Sequence, residues 1–158
     1  MAYAEYLKTQ GSPGIAVQIG VEADEFWSYV GKKSEQRWTW YAIDHEQGIV
    51  LAHHNGKRTD AACQALLAKL ARFPIQRYYT DTWQSYAKFI PPKKHQIGKD
   101  ETWRIERKNL NFRTHVSRLH RKTIGFSKDS EIHDKVIGLY IERHYYQKHY
   151  SKYHMKNI

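Results

Sequence analysis

The sequence predicts an α/β fold in which a mixed β-sheet carries helices on its faces. Three runs rich in aromatic and β-favouring residues come first, separated by short polar linkers that are typical of hairpin turns. Two further strand-like runs then alternate with segments of helical periodicity. An antiparallel meander followed by alternating helices and strands favours a sheet that contains both parallel and antiparallel strands.

The elements follow one another closely along the chain. The three strands of the meander are predicted over residues 22–31, 36–44 and 48–54. A helix follows, which Thr59 or Asp60 can cap and which Pro74 brings to an end. The helix is predicted over 59–72, and after it come a strand over 75–80, a helix over 83–89, a strand over 94–97 and helices over 103–122 and 129–146. With the two C-terminal helices counted as one helical segment, this order is β-β-β-α-β-α-β-α, the one that ribonuclease-H-like nucleases use.

The charge of the chain indicates the kind of partner it binds. Lysine and arginine number 26 against 16 acidic residues, which gives a formal net charge of +10. Most of this excess, a net of +7, lies in residues 101–158. Such a balance favours a polyanionic partner, with nucleic acid as the first candidate, although a merely soluble basic protein has a similar composition.

Several classes of protein are excluded by composition. The one cysteine, Cys63, can form neither an internal disulfide nor a cysteine-based zinc finger within the chain, and its apolar neighbours predict a buried helical thiol. The histidines offer no set at zinc-binding spacing, because the adjacent His53 and His54 point to opposite sides of a strand. No stretch is long enough to span a membrane and no signal peptide begins the chain, so we expect a cytoplasmic protein.

We divide the 158 residues into one domain with two flanking segments, since this length fits a single core. Residues 1–20 contain the breaker cluster GSPG and form a weakly specified lead-in. Residues 21–150 form the domain, and residues 151–158 form a frayed tail.

Three acidic residues lie where a site for phosphoryl transfer could form. Asp24 lies in the first predicted strand, Asp81 ends the fourth strand, and Glu106 lies on the helix after the fifth. The carboxyl ends of strands are the usual place for a site in an open α/β sheet. Mg²⁺ takes oxygen ligands, and two such ions support an in-line displacement at phosphorus. The three carboxylates are therefore the candidate catalytic and metal-binding residues.

Each of these carboxylates also has an ordinary interpretation. Asp24 has acidic neighbours, Glu22 and Glu25, that compete for its role, and strand alternation places Asp24 and Glu25 on opposite faces. Asp81 can simply cap the short helix that follows it. Glu106 can be a solvated partner of the cations on a basic helix.

Several segments of the chain match a known family in order and spacing. They are residues 24–31 (DEFWSYVG), 80–83 (TDTW), 104–111 (RIERKNLN), 126–128 (FSK) and 133–138 (HDKVIG). In these segments, which cover the chain from about Asp24 to Tyr146, the sequence resembles the InsB-type catalytic half of the transposase from the first-numbered bacterial insertion-sequence family. For residues 1–20 we can place no match.

The resemblance implies a ribonuclease-H-like domain with a DDE triad, which would consist of Asp24, Asp81 and Glu106. It implies Mg²⁺ or Mn²⁺ in a two-metal mechanism, metal-dependent cleavage of DNA at the ends of an insertion sequence, and transfer of the freed strands into target DNA. It also implies an N-terminal DNA-recognition region supplied by a fused or separate reading frame. Because transposition joins two ends, a homo-oligomer is compatible with this function.

The predicted helix over 103–122 supplies a candidate DNA-binding surface. Its cations would contact phosphates beside the cleaved bond and give a salt-dependent affinity, whereas the alternative is a solvated cationic face. The candidate residues are Arg104, Arg107, Lys108, Asn109, Arg113, Arg118, Arg121 and Lys122. Trp83 could stack on an unpaired base or anchor its helix in the core.

Two rival functions stay open at this point. The first is a non-catalytic DNA-binding or regulatory fragment of a transposase, which would hold DNA without cutting it. The second, more distant, is a basic RNA-binding or ribosome-associated protein. Neither rival requires the triad of Asp24, Asp81 and Glu106, so metal-dependent cleavage distinguishes both from a transposase.

Overall fold

A computed structural model of the chain describes residues 17–120, 122 and 124–146. Within these residues the strands are β1 (Ile19–Val30), β2 (Lys32–Asp44), β3 (Val50–Gly56), β4 (Ile75–Thr80) and β5 (His95–Ile97). The α-helices are α1 (Asp60–Leu70), α2 (Gln84–Phe89), α3 (Trp103–His115) and α4 (Ser130–Ile141). Short 3₁₀ turns lie at Pro92–Lys94 and Ser117–Leu119, and a π-helical turn at Glu142–Tyr146 follows α4.

All five strands belong to one sheet with the order β3-β2-β1-β4-β5. β2 pairs antiparallel with both β1 and β3, whereas β4 pairs parallel with β1 and β5. The prediction of a mixed α/β sheet with helices on its faces is confirmed. The arrangement places the first strand at the centre of the sheet, beside β4.

Helices cover both faces of the sheet and create two cores. On one face α1 and α2 pack over β1 and β2, and the buried residues include Trp40, Leu66, Leu70 and Tyr86. On the other face α3 and α4 pack over the same strands, and the buried residues include Phe26, Tyr41, Phe112, Ile137 and Ile141. Burial of each such side chain stabilises the fold by roughly 1.5–3 kcal/mol. The central strand β1 thus contributes residues to both cores.

Helix α1 is capped by Thr59 and ends before Pro74, as the sequence predicts. The Thr59 side chain accepts a hydrogen bond from the backbone N–H of Ala62 at 3.3 Å, as an N-cap does. The helix ends before Pro74, and Cys63 is fully buried within it. The prediction of a buried helical thiol is confirmed, and burial raises the pKa of Cys63 to about 12.

The predicted helix over 103–122 is wrong in its second half. Helix α3 ends at His115, because Val116 takes an extended backbone conformation with φ −108° and ψ 94°. Val116 and Leu119 are buried in the core on this face of the sheet, and a 3₁₀ turn replaces the helix between them. The candidate residues Arg118 and Lys122 therefore lie outside α3.

The ends of the domain are less fully described. β1 begins at Ile19, so its first two residues fall within the predicted lead-in over 1–20. Residues 1–16 and the predicted tail over 151–158 lie outside the described residues. No helix in the described ranges is both long and apolar enough to cross a membrane.

Candidate active site

Asp24 and Asp81 meet at the edge where β1 and β4 end their pairing. The last paired residues of these parallel strands are Glu22 and Tyr79. Two residues further along each strand lie Asp24 and Asp81. Carboxylate oxygens of Asp24, Asp81 and Glu25 all lie within 4.8 Å of one another. The structure thus brings together two of the three predicted catalytic residues and adds Glu25 to them.

Glu106 lies on α3, on the same side of the sheet as Asp24. It is exposed to solvent and is not a member of the group of oxygens within 4.8 Å. Its charge nevertheless acts on Asp24, whose pKa is raised to about 6. Burial is the main cause, two hydrogen bonds lower the pKa, and the charges of Asp81 and Glu106 contribute to raising it. The third predicted carboxylate is therefore close enough to interact with the other two.

A buried carboxylate fixes the start of the helix that carries Glu106. The Glu22 side chain is fully buried and accepts a hydrogen bond at 2.9 Å from the backbone N–H of Ile105, in the first turn of α3. Thr102, the residue before α3, makes no side-chain cap of its own. Glu22 also lies 3.0 Å from Nδ1 of His45. Glu22 thus acts as a tertiary cap that docks α3 against β1.

Asn109 connects α3 directly to Asp24. Its side-chain amide donates a hydrogen bond to Oδ2 of Asp24 at 2.7 Å. Its Oδ1 accepts from the Tyr41 hydroxyl, also at 2.7 Å. Burial raises the pKa of Tyr41 well above its usual value, so this hydroxyl keeps its proton. Asn109, a candidate DNA-binding residue, therefore lies against the carboxylate.

Glu25 points to the opposite face of the sheet and is already engaged there. Its Oε1 accepts from Nε and Nη2 of Arg58 at 2.9 and 2.6 Å, and its Oε2 accepts from the Tyr86 hydroxyl at 2.8 Å. Burial raises the pKa of Glu25 to about 7, against the lowering effect of Arg58. Glu25 thus forms an ion pair with Arg58 that offsets its charge. The hydrogen-bond donors to Asp24, by contrast, are the uncharged Asn109 amide and the Glu25 backbone N–H.

Arg58 links Glu25 to the segment that holds Asp81. Its guanidinium lies 3.7 Å from the ring centroid of Trp83 and 4.7 Å from that of Trp38. The backbone N–H of Trp83 in turn donates to Oδ1 of Asp81 at 2.9 Å. Asp81 thus also accepts a hydrogen bond in the turn before α2, in line with the interpretation of Asp81 as a local structural residue. Arg58 covers one face of Trp83.

The donor chemistry of the site limits the metals that fit it. Asp24, Glu25, Asp81 and Glu106 offer only carboxylate oxygens, the ligands that Mg²⁺ and Mn²⁺ prefer. The grouped ligand atoms come from β1 and from the residue that follows β4, its parallel neighbour in the sheet. An acidic cluster able to hold a hard divalent cation is therefore present.

Comparison with known proteins decides the family. The family model described as IS1 transposase matches residues 17–147. The chain belongs to the IS1 transposase family. It is 52% identical to insertion element iso-IS1n protein InsB of Shigella dysenteriae, over 78% of this chain and 94% of that protein. It is 48% identical to insertion element IS1 protein InsB of Shigella flexneri, over 82% of this chain and 98% of that protein.

A solved structure also aligns with this IS1-family chain. The structure is the cryo-EM structure of the simian T-cell lymphotropic virus intasome in complex with PP2A regulatory subunit B56 gamma. The alignment has a TM-score of 0.44 and 19% sequence identity, and it covers 61% of this chain and 38% of that chain.

Two of the candidate DNA-binding cations of this IS1-family chain have partners within the protein. Arg104 donates to the backbone carbonyls of His45 and Glu46 in the turn after β2. The ammonium of Lys108 lies 4.1 Å from the ring centroid of Tyr145, and burial lowers its pKa to about 8. These contacts tie α3 to the rest of the domain and leave both cations less free for phosphate.

The remaining candidates differ in exposure. Arg107 and Lys122 are exposed, whereas Arg113 and Arg118 are half-buried. Nε of Arg113 is buried and has no hydrogen-bond partner among the described residues. Arg121 lies outside the described residues. A DNA-binding surface that includes these residues stays a prediction.

Sequence reasoning missed the side chains that support the carboxylates. Arg58, Tyr86, Tyr41 and His45 lie far along the chain from the groups they contact, and no spacing rule relates them. The hydrogen bond between Tyr41 and Asn109 spans 68 residues. The aromatic and polar residues of β2 predict a strand and do not indicate which groups their side chains contact.

Proposed function

We propose that this chain is the catalytic part of an IS1-family transposase, which cuts DNA at the ends of an insertion sequence and joins the freed 3′-hydroxyls to target DNA. The observation that carries the proposal is the meeting of Asp24 and Asp81 at one edge of the sheet, with Glu106 on the helix above them. A family match over residues 17–147 supports it.

Asp24, Asp81 and Glu106 would hold Mg²⁺ or Mn²⁺. When bound, two such ions stabilise the charge on the attacking and leaving oxygens of an in-line displacement. Asp24 has a pKa of about 6, so it is mostly ionised at neutral pH and presents an anionic oxygen. Glu106 reaches the site from α3, whose first turn Glu22 fixes through its bond to the Ile105 N–H. Glu25 stays with Arg58 and supports the site from the other face.

The positive charge of the chain supports DNA as the substrate. A net charge of +10 attracts a polyanion, whereas the acidic cluster by itself repels it. Arg107 and Arg113 lie on α3 one and seven residues after Glu106, and Arg113 has a buried Nε without a partner among the described residues. We propose that these cations bind phosphates on either side of the cleaved bond.

Nicking of supercoiled DNA in the presence of Mg²⁺ tests the proposal. Asp81→Asn removes an anionic ligand while it keeps the acceptor for the Trp83 N–H. We expect its nicking rate to fall by on the order of 100-fold or more, with the melting temperature nearly unchanged.

The matched control is Asp100→Asn, which changes the same chemical group at an exposed loop position. This variant should nick like the wild type. Equal nicking by wild type and Asp81→Asn would contradict the catalytic assignment. DNA binding without nicking by the wild type would favour the non-catalytic DNA-binding fragment instead.

A further inference from the structure

We propose that Asn109 and Tyr41 form a positioning relay that holds the Asp24 carboxylate in the orientation required for metal binding. The inference rests on the proposed function, since it assigns a role to two residues that would not touch metal or DNA. It replaces the prediction that Asn109 contacts DNA.

Both oxygens of Asp24 are fixed by one hydrogen bond each. Oδ2 accepts from the Asn109 amide at 2.7 Å, and Oδ1 accepts from the backbone N–H of Glu25 at 2.8 Å. A carboxylate offers about four lone-pair sites, so each oxygen keeps a further site for a cation. The plane of the Asp24 carboxylate is thereby set while its capacity as a ligand is retained.

Asn109 is itself held in one orientation. Its Oδ1 lies 2.7 Å from the Tyr41 hydroxyl, which can donate to it. Because an amide has one acceptor and one donor end, this bond directs the amide nitrogen toward Asp24. Without Tyr41, the amide could turn and present its oxygen to the carboxylate, which would repel it.

Tyr41 is held in a fixed position and can therefore orient Asn109. It is fully buried and lies directly opposite Asp24 in the pairing of β1 with β2. Its hydroxyl is also 3.0 Å from the carbonyl oxygen of Ile105, in the first turn of α3. The relay therefore joins two paired strands to the helix that carries Glu106, so the fold sets the distances between its residues.

The environment of Asn109 argues against a direct contact with DNA. Both polar ends of its amide are already bonded within the protein, and the side chain is only partly exposed. A phosphate contact would require it to break the bond to Asp24 or to Tyr41. Arg107, two residues earlier on α3, is exposed and would not have to break either of these bonds to reach a phosphate.

Binding of Mn²⁺ to the full chain without DNA, measured by calorimetry, tests the relay. Asn109→Leu removes both bonds at similar volume, and Tyr41→Phe removes only the hydroxyl and keeps the ring. We expect either variant to bind Mn²⁺ about 10- to 100-fold more weakly than the wild type, the range found for groups that orient metal ligands. Affinity for a DNA duplex in a chelator should stay unchanged, which a loss of folding would not allow.

Thr114→Ala serves as the control, because Thr114 is an exposed residue of α3 whose hydroxyl bonds only within the helix. It should bind Mn²⁺ and DNA like the wild type. If Asn109→Leu fails to fold, the Tyr41→Phe variant carries the test alone.

Two outcomes would overturn the relay. Wild-type Mn²⁺ affinity in a folded Tyr41→Phe or Asn109→Leu variant contradicts it, and weaker DNA binding in the chelator at unchanged Mn²⁺ affinity identifies Asn109 as a DNA contact. If Asp81→Asn loses Mn²⁺ binding in the same experiment, the proposed metal site stands even though the relay fails. If the wild type binds no Mn²⁺, the proposed function and the relay fail together.

Discussion

Burial acts on three carboxylates within four residues of β1, and their partners give each a separate role. Burial raises the pKa of Glu22, Asp24 and Glu25. Glu22 docks the first turn of α3, and Glu25 pairs with Arg58 on the other face. Asp24 faces Asn109 and lies beside Asp81. Strand alternation therefore separates Asp24 from Glu25, whereas Glu22 lies on the same face as Asp24 and differs from it in its partners.

A histidine in β3 provides a prediction for the pH dependence of stability. Burial lowers the pKa of His53 from 6.5 to about 4, and the charge of Lys69 adds to this effect. The unfolded chain therefore takes up a proton near pH 6.5 while the folded chain does not, so the free energy of unfolding falls as pH drops from about 6.5 toward 4. Between pH 7 and pH 5, we expect the free energy of unfolding of His53→Gln to fall by about 1–2 kcal/mol less than that of the wild type.

Denaturant unfolding at the two pH values measures the difference. The same change at the exposed His120 is the control and should leave the pH dependence as it is in the wild type. An identical loss of stability in wild type and His53→Gln between pH 7 and pH 5 would show that His53 is not buried in its neutral form.

At the level of elements, the sequence predicts strands better than helix ends. β4 is found at the predicted residues, and β1 to β3 differ only at their edges. Helix α3 ends early although no glycine or proline marks the place. Val116 and Leu119 are three residues apart, as apolar residues on one face of a helix are. The apolar pattern therefore continues although the helical backbone has ended. Only the packing of both side chains into the core explains the break.

The cations of α3 give a prediction that separates DNA contacts from structural ones. Arg107 is exposed, whereas Arg104 donates to two carbonyls of the turn after β2. We expect Arg107→Ala to lower the slope of log Kd against log salt by about 1, the effect of one lost phosphate contact. Arg104→Ala should leave that slope unchanged and lower the free energy of unfolding by about 1 kcal/mol.

Fluorescence anisotropy with a labelled duplex, repeated over a series of salt concentrations, gives both slopes. The two variants are matched, since each removes one arginine from the same helix. A reduced slope in Arg104→Ala together with an unchanged slope in Arg107→Ala would reverse the assignment.

For the whole molecule, the sheet order explains how much of the site could be predicted. Asp24 and Asp81 are 57 residues apart, yet a meander followed by a crossover places their strands side by side. Their meeting therefore follows from the order of elements. The supports of the site depend on side chains from β2, α2 and the segments that follow β2 and β3. These side chains meet only after the faces are packed, and no local pattern reports such contacts.

The same architecture leaves two candidates for the third carboxylate. Distance alone groups Glu25 with Asp24 and Asp81, whereas the family resemblance and the position of α3 favour Glu106. The partners of Glu25 decide between them in our account, because the ion pair with Arg58 already offsets the charge of Glu25. Glu106 is exposed on α3.

The Mg²⁺-dependent nicking rate of Glu106→Gln, relative to that of the wild type, tests this account most directly. Glutamine keeps the size of the side chain and removes its charge from an exposed helix position, so the variant should fold normally. We predict a loss of nicking by on the order of 100-fold or more, at an unchanged melting temperature. Nicking at the wild-type rate would contradict the triad of Asp24, Asp81 and Glu106.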